Sequence, residues 1–189
     1  MDLKTKFHNF ARSMMLPLAE LDRSLPKKGK IIDLGCGEGV IAIHLAGRKN
    51  RQVLGIDINA KRVQKTHLKN LKFKVADIRN YNLKNVDGVV LSDVLHHINP
   101  QDQKKVLSNI ASSLKRGSRL IIKEINTEEF IRSKLSRFWD FVFYPKEKIY
   151  FLSAGVLIKN LQDLGFVVKR KTSSHFFPGS TNLFICTKK

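Results

Sequence analysis

Acidic residues are scarce in this chain: 16 Asp and Glu stand against 35 Lys and Arg, a formal charge of +19 over 189 residues. Such a field attracts nucleic acid, anionic lipid or acidic substrates. The basic residues run from Lys4 to Lys189 without a block, an arginine-rich arm or a Gly/Arg repeat. Charge alone therefore names no partner, and ordinary solvated lysines account for it equally well. Cysteine is nearly missing. Cys36 and Cys186 lie far apart and without metal-ligand spacing, which argues against a disulfide framework or a metal site and suits a reducing compartment. No apolar run approaches the roughly 20 residues that span a bilayer. The opening stretch "MDLKTKFHNFARSMM" has no secretory hydrophobic region. The expected location is cytoplasmic. With no linker, repeat or low-complexity segment, a single domain over 1–189 is expected.

What is abundant is apolar sequence, 42% of residues, spread along the whole chain as in a globular fold. A helix is expected over about 5–26, with Leu16, Leu18, Leu21 and Leu25 as its core stripe. Short apolar runs then alternate with helical patterns. Strands are expected at 29–35, 51–58, 71–78, 86–93 and 118–124. Helices are expected after Glu38, over 59–70 with Asn59 as cap, and over 99–117. There Asn99 caps, Pro100 takes the first helical position and Gly117 is the stop. This alternation predicts a doubly wound α/β domain. Beyond it lie an amphipathic helix at 127–143, a capped helix from Ser153 to Gly165, and two strands over 166–173 and 182–189.

The stretch "IIDLGCGEGVIAIHLAG", 31–47, places three glycines where the first strand gives way to a helix. In such a sheet ligands bind at the carboxyl ends of strands, where strand order reverses. The spacing is Gly-x-Gly-x-Gly, neither a dinucleotide fingerprint nor a phosphate-clamping loop with its Gly-Lys-Ser/Thr. Glu38 in the first turn also disfavours a pyrophosphate. Asp33, Asp57 and Asp77 end three successive predicted strands. A carboxylate at Asp57 suits two ribose hydroxyls, Asp77 an exocyclic amine, and Ile78 a flat base. Together they suggest a nucleoside with a cationic or amino-acid tail. Asp33 read more plainly caps a turn, and Asp77 a helix. Cys36 reads as a small packing residue, since nothing near it in sequence would lower its pKa.

"IIDLGCGEG", "VLGIDIN", "VADI", "VDGVVLSDVLHHI" and "LKRGSRLIIKE" resemble, in order and spacing, the motifs of class I S-adenosylmethionine-dependent methyltransferases. The resemblance spans about Lys30 to Glu124, the expected cofactor-binding core, with substrate-side elements over about 127–188. It implies an α/β Rossmann-like sheet of seven strands, order 3-2-1-4-5-7-6, strand seven antiparallel, helices on both faces. It implies S-adenosyl-L-methionine as cofactor, with Gly35, Cys36 and Gly37 lining the methionine part and Asp33 orienting its amino group. Asp57 would take the ribose hydroxyls, Ile58 would also contact the cofactor, Asp77 and Ile78 would hold the adenine, and Ser92 would face the methionine end. The sequence departs from the family at Arg116-Gly117-Ser118, where Pro-Gly-Gly is usual, and at Glu38, where Thr or Ser is common.

His96 and His97 follow the fourth strand, at the cofactor edge, and either can serve as general base or merely shape the pocket. His97 is the preferred candidate. Glu124 is a further candidate for the pocket wall. The aromatics of 137–153, Trp139 and Tyr144 among them, read as a lid for an apolar acceptor, a membrane-surface contact, or a buried helix face. Motifs for methylating base amines or cytosine carbon are missing. The expected function is methyl transfer to a small-molecule or lipid-like acceptor, at oxygen or carbon. The alternative is an RNA-directed methyltransferase, favoured by charge and aromatics. A degenerate module without catalysis is disfavoured by intact Asp33, Asp57 and Asp77.

Overall fold

Buried strands must pair, because an unpartnered backbone N–H or C=O away from water is costly. In the computed structural model, which describes residues 16–62, 66–126, 148–173 and 181–189, the apolar runs pair into one sheet. Its strands are β1 (Gly29–Leu34), β2 (Arg51–Asp57), β3 (Leu71–Val75), β4 (Val86–Ser92), β5 (Leu114–Ile125), β6 (Phe166–Ser173) and β7 (Thr181–Lys188). The order is β3-β2-β1-β4-β5-β7-β6. The first five strands pair in parallel, and β7 is antiparallel to both its neighbours. This is the expected seven-stranded order. β1 therefore lies between β2 and β4, and the switch in strand order falls at its carboxyl end, beside the glycine loop.

Alternation along each strand sends neighbours to opposite faces. Ile32, Leu34, Val89, Leu91, Leu120 and Ile122 pack against α3 (Pro100–Ser113) and α4 (Ala154–Asp163). Ile31, Val53, Val90 and Ile121 pack against α1 (Leu18–Ser24) and α2 (Val40–Ala46). Within the expected N-terminal stripe Leu16, Leu21 and Leu25 are buried. Residues 5–15 of that expected helix, and the expected helix at 127–143, lie outside the described residues. Arg51 starts β2 fully buried. Its guanidinium donates to the Asp22 carboxylate at 2.5 Å and to the Pro26 carbonyl at 2.7 Å. Arg48 binds the same carboxylate, so two cations hold the Asp22 carboxyl down to about 2, the Arg48 hydrogen bond contributing most.

Two expectations are corrected. No helix forms among the described residues of 59–70. The Asn59 side chain takes the Lys61 N–H at 3.0 Å, and its carbonyl takes the Arg62 N–H at 3.0 Å. Thr66 Oγ1 takes the Leu68 N–H at 3.1 Å. These local bonds compete with helical ones. Gly117 does not end the long helix, which stops at Ser113. Leu114 is already paired with Val86, and the ladder resumes only at Gly88 and Arg119. The residues between bulge out, and Gly117, with φ +82°, makes the left-handed bend.

Candidate active site

The loop after β1 takes its shape from three left-handed glycines, with φ of 74°, 53° and 78° at Gly35, Gly37 and Gly39. A Cβ added at Gly35 would meet a Val94 methyl at 2.5 Å. Backbone and side-chain bonds fasten the loop to the end of β2. The N–H groups of Gly35 and Cys36 donate to the Ile56 carbonyl at 2.7 and 3.0 Å. The Gly37 N–H donates to Asp57 Oδ2 at 2.8 Å, while Asp57 Oδ1 accepts the Asn59 N–H at 2.8 Å. Strand end and loop are thus joined by one carboxylate.

A cleft of about 450 Å³ opens at this end of the sheet, in the size range of small-ligand sites, about 300–1,000 Å³. Gly35, Gly37, Asp57 and Ile58 line one side, followed by Asp77 and Ile78. Asp93, Val94 and His97 line the part beyond β4, and Lys148 and Tyr150 approach from the later segment. Of the residues expected from sequence, Gly35, Gly37, Asp57, Ile58, Asp77, Ile78 and His97 meet here. Asp33, Cys36, Ser92 and His96 are buried and are not among the lining residues. Trp139 and Tyr144 lie outside the described residues. Ile58 is 63% exposed although apolar, an open hydrophobic surface on the cleft.

Asp77 does not face the cleft alone. Arg79 Nε donates to both its oxygens at 2.9 Å, and Arg79 Nη2 to Oδ2 at 2.6 Å. The guanidinium holds the Asp77 carboxyl below the usual carboxylate range. Asp93, which sequence reading passed over, adopts φ +55°, uncommon for a residue with a side chain. Its two oxygens accept from Lys123 Nζ at 2.8 and 2.7 Å. Lys123 is buried within the apolar "LIIKEI" of β5. A lysine directly after the apolar run Leu120–Ile122, at the carboxyl end of the strand, was the signal that could have revealed the pair. Lys148 and Tyr150 belong to the 137–153 stretch expected at the mouth, while Arg62, Arg79 and Asn99 line the cleft unforeseen. They come from turns and loops, where no periodicity points to a shared wall.

Behind the cleft, Glu124 Oε1 accepts the N–H groups of Val94 and Leu95 at 3.3 and 2.9 Å. Glu124 Oε2 lies 2.6 Å from His96 Nδ1. Gln103, buried in α3, donates its amide to the carbonyls of Leu95, Ile98 and Tyr150 at 2.8–3.0 Å. The Tyr150 N–H donates to the His96 carbonyl at 2.7 Å. Loop 93–97 is held from three sides, and His97 alone of the two imidazoles reaches the cleft. The carboxylate expected on the pocket wall instead braces that wall from behind, lining a separate void of about 10 Å³.

Residues 7–171 match the family described as the methyltransferase domain. The chain belongs to that family. This methyltransferase domain is 37% identical over 112 residues to a carboxy-S-adenosyl-L-methionine synthase of Campylobacter hominis, covering 55% of the chain and 47% of the relative. It is 32% identical over 121 residues to an O-methyltransferase of Pyrenophora dematioidea, covering 58% and 45%. The chain spans about half the length of the curated relatives it matches. Among solved structures it is similar to a SAM-dependent methyltransferase from Archaeoglobus fulgidus, TM-score 0.76 and 21% identity over 99% of this chain and 100% of the other. It is also similar to a magnesium protoporphyrin IX methyltransferase from Synechocystis PCC 6803 with bound SAH. There the TM-score is 0.72 at 21% identity, over 100% and 89% of the two chains. At such identities these likenesses establish the fold.

Proposed function

We propose that this domain binds S-adenosylmethionine in the cleft and directs its methyl group to a small-molecule or lipid-like acceptor, at oxygen or carbon. The observation that carries the reading is the junction of loop and strand, with bare glycine backbone at Gly35 and Gly37 beside the Asp57 carboxylate on one cleft wall. The residues fit the cofactor: a side chain at Gly35 would strike Val94, and Ile58 and Ile78 offer an apolar surface to a flat base. When bound, the cofactor supplies an electrophilic methyl on a sulfonium.

The chain's own residues then have separate tasks. Gly35 and Gly37 admit the ligand to the backbone. Asp57 accepts from ribose hydroxyls, and Asp77, shared with Arg79, serves the adenine amine. Asp33, Cys36 and Ser92 lie beneath this surface and act through the loop and strand ends they support. His97 takes the proton that an acceptor gives up, holding it on an imidazole at the cleft wall. Positioning does the rest, since two groups held in line react as one molecule.

The experiment is incubation with labelled S-adenosylmethionine against separated lipid, RNA and small-molecule extracts of the source cell. Label in the lipid or small-molecule fraction is the expected result, and label in RNA alone overturns the choice of acceptor. A second reading is favoured by Arg62, Arg79 and Lys148 on the cleft, cations suited to an anionic cosubstrate, and by the relatives named carboxy-S-adenosyl-L-methionine synthase. Mass spectrometry of the cofactor after incubation with the same extracts separates the two. A carboxylated cofactor supports the second reading, and S-adenosylhomocysteine the first.

A further inference from the structure

We infer that Glu124 and His96 form a positioning pair that fixes the His97 imidazole on the cleft wall and strengthens its hold on a proton. The inference rests on the proposed role of His97. Glu124 lines only the small void behind the wall, so it acts through its partners. Both its oxygens are committed: Oε1 to the N–H groups of Val94 and Leu95, Oε2 to His96 Nδ1 at 2.6 Å. The carboxylate is thus engaged on both oxygens. His96 is 2% exposed, lies against the Phe151 ring with centroids 5.6 Å apart, and has the His97 ring at 4.2 Å. A ring so enclosed is costly to charge. We assign it the neutral tautomer with the proton on Nδ1, donated to Glu124.

The pair then carries one negative charge, a single ring away from His97. That charge favours the imidazolium form of His97, as a carboxylate does for any nearby imidazole. The other charges around His97 come from every wall of the cleft. Asp77 with Arg79, and Asp93 with Lys123, cancel as ion pairs. Asp57 is bound to backbone N–H groups, and Arg62, Lys148 and Tyr150 are the other titratable side chains among the described residues that line the cleft. Position is fixed along with charge. The bonds from Glu124, Gln103 and Tyr150 converge on the five residues 93–97, leaving His97 little freedom to swing out of the cleft.

The test is nuclear magnetic resonance of ring-labelled histidines in the protein without cofactor, with His97 assigned through His97→Gln. In Glu124→Gln the His97 titration midpoint should fall by half a pH unit or more, about a threefold loss of proton affinity. A midpoint that is unchanged or raised overturns the inference. Should that variant not fold, the wild-type spectrum decides. His96 should show the neutral Nδ1–H tautomer across about pH 6–8, and the Nε2–H tautomer or a cation there overturns the pair. Calorimetry with S-adenosylmethionine runs in parallel. A wild type that fails to bind it refutes the cofactor reading while leaving the His97 titration intact as a separate result.

Discussion

Replacing Asp57 by alanine separates the two jobs of one carboxylate. In the protein alone it accepts two backbone N–H groups at 2.8 Å, from Gly37 and Asn59, and it is 7% exposed. Hydrogen bonds to an ionised acceptor contribute about 1.5–3 kcal/mol each when buried. Asn59 is exposed and its N–H can turn to water, so the folding cost should be about 1–3 kcal/mol. For a chain of this size that lowers the melting temperature by about 2–12 °C. The ribose hydroxyls lose their charged acceptor as well, a further 1.5–3 kcal/mol, or about a 10- to 150-fold weaker Kd. Calorimetry at a temperature where both proteins are folded reads the second effect, and thermal unfolding the first. Asp57→Asn keeps one acceptor and should fall between. Unchanged S-adenosylmethionine affinity in Asp57→Ala, or NAD bound as tightly as S-adenosylmethionine, would refute the reasoning.

His97→Ala should lower turnover by roughly 100-fold or more with cofactor affinity held; an unchanged rate removes the base role. Asp22→Asn should cost about 2–4 kcal/mol, because Arg51 stays fully buried with its counterion gone. The Asp22 carboxyl lies at about 2 in the folded protein, below its unfolded value, so its contribution is present above about pH 4 and is lost as pH falls toward 2. Acid unfolding curves should therefore converge for wild type and Asp22→Asn near pH 2, and a constant gap contradicts the assignment. RNA should bind weakly in dilute buffer because of the +19 charge and release by about 0.15 M salt, where the Debye length is about 8 Å. Sequence-selective RNA binding at that salt, measured by fluorescence anisotropy, points to an RNA acceptor instead.

The strands and the glycine loop were legible because each rests on local pattern, whereas the strand order followed only from the family resemblance. Apolar runs of strand length, caps such as Asn99 and Ser153, and glycines between strand and helix all lie within a few residues of what they specify. What was hidden depends on distant pairing. Gly117 looked like a helix stop until Leu114 was found paired with Val86, which ends the helix early. The 59–70 segment carries a cap residue, yet Asn59 spends that side chain on a tight turn. Asp77 read as an open acceptor, while Arg79, two residues on, wraps it. Glu124 reads from sequence as a candidate pocket wall, but its partners stand 28–30 residues earlier, and no spacing rule connects them. Asp93 and Lys123 met for the same reason, across adjacent parallel strands.

A crystal structure with S-adenosylhomocysteine tests the central claim most directly. The ligand should occupy the cleft between the glycine loop and loop 93–97, with its ribose hydroxyls within hydrogen-bond reach of Asp57 and its base against Ile58 and Ile78. A ligand seated elsewhere, or in the cleft with its ribose away from Asp57, would contradict it.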